Sequence, residues 1–128
     1  MNSMEILRRD YDELKHNPLS DLGYDISNKD IQKDFYTWRI SLLGAKDTSY
    51  ADGIFLIKII FRKDYPDSRP EIFFLTPIYH PNVSRNGFVG VNFICQWKPI
   101  TVREMLIKLY GIFYLPNPES PYSVEQAD

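Results

Sequence analysis

The chain has 128 residues, enough for one domain with a proper buried core, and its 44% apolar share is that of a globular protein. Fifteen basic against seventeen acidic residues leave a net charge of -2, so no global field draws in nucleic acid. Cys95 is the single cysteine, which excludes an internal disulfide and makes a reducing compartment, cytoplasmic or nuclear, the expected one.

At the N-terminus, MNSMEILRRD carries acids and has no long apolar core, so it does not read as a signal peptide. Met4, Leu7, Tyr11 and Leu14 recur at three- and four-residue spacing and predict a helix over 3–16. Asn2 or Ser3 is placed to cap it, Glu5 falls in its first turn, and Pro18 stands just past its end. Arg8, Arg9 and Lys15 then form its solvated face. From Tyr24 onward the period is that of strands, with segments near 23–27, 35–43, 54–61 and 71–75 rich in Ile, Phe, Tyr and Trp. The intervening breaks are short, which predicts an antiparallel meander of four strands. The longest apolar run, 54–61, is too short to span a bilayer and contains Lys58, so no membrane partner is expected.

Residues 76–100 lose all periodicity and hold prolines and glycines among polar residues; a loop of that length in a compact domain is usually functional. Thr101 and Glu104 form a capping box that opens a second helix over 101–114, with Val102, Met105, Leu106, Leu109, Ile112 and Phe113 as its buried stripe. The order of elements is that of an α+β domain, one sheet with helices packed on it.

Several chemistries find no support. No glycine-rich phosphate loop is present, and Gly44 and Gly53 fit no nucleotide fingerprint. His16 and His80 lack the neighbours of a metal site, and no serine sits in a strand-turn-helix elbow.

The run Tyr79-His80-Pro81-Asn82-Val83, then Asn86-Gly87, then Trp97-Lys98-Pro99 resembles the ubiquitin-conjugating enzyme family. Residues 44–55, the Phe61, Tyr65-Pro66 and Pro70 turn, and Pro116-Asn117-Pro118 with Pro121 extend the resemblance over nearly the whole chain. It implies the ubiquitin-conjugating fold: N-terminal helix, four-stranded antiparallel meander, long active-site loop and central helix, with the C-terminal helices truncated. It also implies an activity, in which ubiquitin or a ubiquitin-like modifier is held as a thioester on one cysteine and passed to a lysine amine.

That chemistry needs an accessible thiolate and a donor for the oxyanion. The resemblance gives Asn82 the oxyanion or loop-ordering role, with His80 and Pro81 as the structural part of the loop, and places Ser120 beside the incoming lysine. The family's cysteine falls eight residues after that asparagine, and here the position is Gly90, which cannot form a thioester. Cys95, five residues later, is the alternative nucleophile and reads better as a bystander. Arg8 and Arg9 match positions that dock the activating enzyme. Asp67 stands where an aromatic ligase anchor is common, while Lys98 and Pro99 keep the second ligase-contact loop. Asn92 and Lys98-Pro99 also occur in members that serve other modifiers.

Three functions follow. The chain is a binding variant that engages the modifier, a ligase or an active conjugating enzyme; or an active carrier whose cysteine is changed to Gly90; or an enzyme that uses Cys95. No bound cofactor or metal is expected, since the ATP of the pathway is used by the separate activating enzyme.

Overall fold

The computed structural model describes residues 1–27, 29–89 and 97–114. Helix α1 runs Ser3–His16, with its N-terminus closed by a reciprocal pair: the Asn2 side chain accepts the Glu5 N–H at 2.9 Å and the Glu5 carboxylate accepts the Asn2 N–H at 3.3 Å. Each bond satisfies an amide that the helix itself leaves unpaired. Leu7, Tyr11 and Leu14 are buried as their spacing predicts, and Met4 lies at the margin. The Tyr11 ring meets Phe35 and Trp38 edge-on, which fixes the helix against the sheet.

Among the described residues the sheet has three antiparallel strands in the order β1 (Thr37–Leu43), β2 (Ile54–Ile60) and β3 (Glu71–Phe74). Their alternation sends Trp38, Ile40, Leu42, Phe55, Ile57, Ile59, Ile72 and Phe74 inward. Each such side chain, taken from water, contributes about 1.5–3 kcal/mol. The meander is therefore as expected, but its fourth strand is not formed. Residues 23–27 touch β1 only through an isolated bridge between Asp25 and Ser41, with a further bond from the Leu43 N–H to the Gly23 carbonyl. The cause is local. A 3₁₀ turn at Ser20–Leu22 ends on Gly23 in the left-handed region, and the Asp25 carboxylate then accepts the Ser27 N–H, bending the chain off the edge.

A short helix, α2 (Asp30–Lys33), lies in the break between the first two expected strands, and β1 begins at Thr37 rather than residue 35. The Asp34 carboxylate accepts the Tyr36 N–H and the Trp38 indole donates to the Phe35 carbonyl, so 34–36 make a corner before pairing starts. Helix α3 is Val102–Gly111, with the predicted Thr101–Glu104 capping box. Its expected last turn, through 114, tightens into bonds from residues 112, 113 and 114 to the carbonyls three back, a 3₁₀-type ending. Helices α1 and α3 are joined by a two-pronged Arg103–Glu13 pair at 2.8 and 2.9 Å, and the buried Tyr24 hydroxyl donates to the Leu106 carbonyl at 2.7 Å. The expectation about C-terminal helices lies outside the described residues.

Candidate functional site

The loop after β3 is organised around one imidazole. His80 is fully buried, with Nε2 2.5 Å from the Ile112 carbonyl oxygen and Nδ1 2.9 Å from the Asn82 amide nitrogen. A carbonyl only accepts and an amide N–H only donates, so the ring is the neutral tautomer with its proton on Nε2. Burial pushes its pKa below the ordinary histidine value, and the bond to Ile112 opposes this only in part. The ring thus ties the loop to the end of α3. Tyr50 reinforces it from the β1–β2 connection: its hydroxyl donates to the Tyr79 carbonyl at 2.8 Å, and its ring lies against His80 and Phe113.

Asn82 is 2% exposed, and Pro81 beside it is half-buried. Beyond Val83 the chain reverses through Ser84–Gly87, where the Gly87 N–H bonds to the Ser84 carbonyl and the Ser84 hydroxyl donates to the Asn86 side chain. Gly87 has φ +91°, and a Cβ there would run into the Phe74 carbonyl, so only glycine suits this approach. The approach lets the chain add to the edge of β3: the Phe74 N–H donates to Gly87 O at 2.7 Å and the Val89 N–H to Ile72 O at 2.9 Å. The loop read as wholly irregular is therefore partly sheet-like, and its described course is fixed from His80 to Val89. Gly90, Asn92, Cys95 and Ser120 lie outside the described residues.

A second group of predicted residues meets at the N-terminal start of α3, whereas the loop is tied to its C-terminal end. The Trp97 indole donates to the Pro66 carbonyl at 2.8 Å and the Tyr65 hydroxyl to the Ile100 carbonyl at 3.3 Å, clasping the loop after β2 to the segment before α3. Between them and α1 opens a groove of about 260 Å³ lined by Met1, Ile6, Arg9, Tyr65, Pro99 and Thr101 among others. Asp67 and Lys98 are exposed on the same two loops. Arg9 and Pro99 are thus brought together, whereas Arg8 lies apart, its guanidinium 5.8 Å from the Phe35 ring centre.

Two positioning residues had not been singled out in the sequence. Asp10, only 5% exposed, accepts the Arg9 guanidinium at 3.3 Å and the Val102 N–H at 3.2 Å, so a carboxylate of α1 satisfies the N-terminus of α3. Its signal was legible, since Asp10 falls on the Leu7–Tyr11–Leu14 face where a charge is out of place. Tyr50 gave no such signal, because its partners around the loop, Tyr79, His80 and Phe113, lie 29 and more residues away. Among the described residues no three His, Cys, Asp or Glu side chains converge to hold a metal, and no helix is long and apolar enough to cross a membrane.

An α+β meander flanked by two helices, with a His-Pro-Asn loop locked onto the end of the second, defines the class of ubiquitin-conjugating folds. A sequence model of the family described as ubiquitin-conjugating enzyme matches residues 6–128, and the chain belongs to that family. It is similar to the solved structure of human ubiquitin-conjugating enzyme E2 G1, at 34% identity over 86% of this chain and 93% of that one, with a TM-score of 0.74. Membership carries the family's general association with ubiquitin, activating enzymes and ligases.

Proposed function

We propose that this chain works in the ubiquitin transfer pathway by binding rather than by carrying the modifier. The observation that carries this reading is the pairing of a fully built His-Pro-Asn loop with glycine at position 90, the eighth residue after Asn82. A glycine offers no thiol, and a thioester needs one. What remains is a scaffold with a ready interaction surface. In this reading Asn82 orders the loop, which its burial supports, and Gly90 marks the lost nucleophile. The groove containing Arg9 and Pro99, with Asp67 and Lys98 on its two loops, receives an activating enzyme, a ligase or an active conjugating enzyme. Ser120 keeps the position beside an incoming lysine, and the chain acts in the cytoplasm or nucleus.

The test is a charging assay with activating enzyme, ATP and ubiquitin, followed by non-reducing gels. The expected result is no adduct labile to reductant, together with measurable binding of one of these proteins to the chain. An adduct on the unaltered chain that vanishes in Cys95→Ser would overturn this in favour of Cys95 as nucleophile. The intact loop also favours a second reading, an active carrier altered at one residue. In that case Gly90→Cys charges readily and discharges to free lysine, and a folded Gly90→Cys that stays uncharged eliminates it.

A further inference from the structure

The turn that returns the loop to the sheet contains Asn86-Gly87, a pair open to intramolecular deamidation because glycine leaves its amide nitrogen unshielded by a side chain. In that reaction the Gly87 nitrogen loses its proton to water and bonds to the Asn86 side-chain carbonyl carbon. The Cγ–Nδ2 bond breaks and the amide leaves as ammonia. Water then opens the cyclic imide. Opening at Cγ gives aspartate, and opening at the backbone carbonyl carbon gives isoaspartate, in which the main chain runs through the side chain. Asn86 is exposed, so water reaches it. Yet both reacting groups are engaged. The Gly87 N–H donates to the Ser84 carbonyl at 2.9 Å. The Asn86 Oδ1 accepts the Ser84 hydroxyl and, at 3.1 Å, the Phe88 N–H. Ser84 closes the turn from its other side as well, its N–H donating to the Phe88 carbonyl at 2.9 Å.

We propose that Asn86 is a deamidation site gated by Ser84: the closed turn keeps it silent, and its conversion to isoaspartate permanently releases residues 84–89 from the β3 edge. Ring closure needs the Gly87 proton removed and the Asn86 side chain swung onto the Gly87 nitrogen. In the closed turn the Ser84 carbonyl holds the first and two donors hold the second. Pairing with β3, through Gly87 O and the Val89 N–H, resists the backbone rotation that the ring demands. The reaction therefore runs from molecules whose turn is open, and its rate follows their fraction. The two products undo different things. Aspartate keeps a side-chain oxygen for Ser84 and Phe88, so the turn re-forms. Isoaspartate adds a carbon to the main chain just before Gly87, where the fit against the Phe74 carbonyl is too close even for a Cβ. Gly87 O and the Val89 N–H then cannot both regain their β3 partners. His80 lies upstream and keeps its bonds to Ile112 and Asn82, so the release spares the inner anchor of the loop. The inference is independent of position 90.

The experiment ages the full chain, its Ser84→Ala variant and a synthetic peptide of residues 80–89 side by side in mildly alkaline buffer. Fragmentation mass spectrometry locates the amide-to-acid change at residue 86, and isoaspartyl methyltransferase labelling separates the two products. The folded chain is expected to react about tenfold or more slowly than the peptide. Ser84→Ala, with folding checked by circular dichroism, should move the rate severalfold toward that of the peptide. Hydrogen exchange on the isotope-labelled aged chain should show the Phe74 and Val89 amides unprotected in the isoaspartate fraction, with the Asn82 amide still protected. Asn86→Asp should leave all three protected. Equal rates in chain and peptide, or a rate unchanged in Ser84→Ala, would overturn the proposal. So would an isoaspartate chain that keeps Phe74 and Val89 protected, or one that loses Asn82 along with them. If Ser84→Ala does not fold, the comparison of chain with peptide and the exchange pattern of the aged chain still decide.

Discussion

His80 and Asp10 show how single side chains set the geometry of this molecule through their backbone partners. His80 is held neutral, and its folded pKa is depressed by burial. The unfolded chain takes up a proton on this ring near pH 6.5, while the folded chain resists it. The contribution of the neutral ring is therefore complete above about pH 6.5 and is lost as the pH falls from there toward the folded value. Urea unfolding should show a midpoint that drops between about pH 7.5 and 5.5, and this slope should shrink in His80→Gln. Asp10→Ala removes the acceptor of the Val102 N–H at a buried helix start and should cost about 1–2 kcal/mol. Asp10→Asn, which keeps an acceptor oxygen, should recover much of that by the same measurement. Arg9→Ala, at a side chain about half exposed, should change stability by less than about 0.5 kcal/mol.

At the scale of elements, α3 and the β3 edge respond oppositely to glycine replacement. Gly111 lies in the last turn of α3, and a Cβ there meets nothing within 4 Å. Gly111→Ala should raise stability by about 0.5–1 kcal/mol, visible as a higher urea midpoint. At Gly87 the positive φ and the Phe74 carbonyl leave no room. Gly87→Ala should lower stability by more than about 1 kcal/mol and speed hydrogen exchange at the Phe74 and Val89 amides, because the loop must leave the strand edge. The same contrast explains the missing fourth strand. Residues 23–27 have strand-like composition, yet Gly23 and the Asp25–Ser27 turn confine their pairing with β1 to one bridge.

Over the whole molecule, two regions are held by one core: the His-Pro-Asn loop at the C-terminal end of α3 and the groove at its N-terminal start. Tyr50, Phe55, Phe113 and His80 form a continuous aromatic path under the loop, while Trp38, Phe61, Tyr65 and Trp97 run beneath the groove. Such rigid support is what a partner-binding scaffold needs, since prearranged surfaces bind with less ordering cost. Charging and binding assays on the unaltered chain and on Gly90→Cys examine the molecule at this scale. The unaltered chain should bind without charging. The sequence by itself determined the helix stripes, the Thr101–Glu104 capping box, three strands of the meander and the family, because each is written in local spacing or in a short motif. Tertiary structure decided that Arg9 joins Pro99 while Arg8 lies apart, that Asp10 caps a helix 92 residues away, and that Tyr50 braces the loop. These depend on where separate elements meet, and side-chain periodicity along one element carries no record of its neighbours.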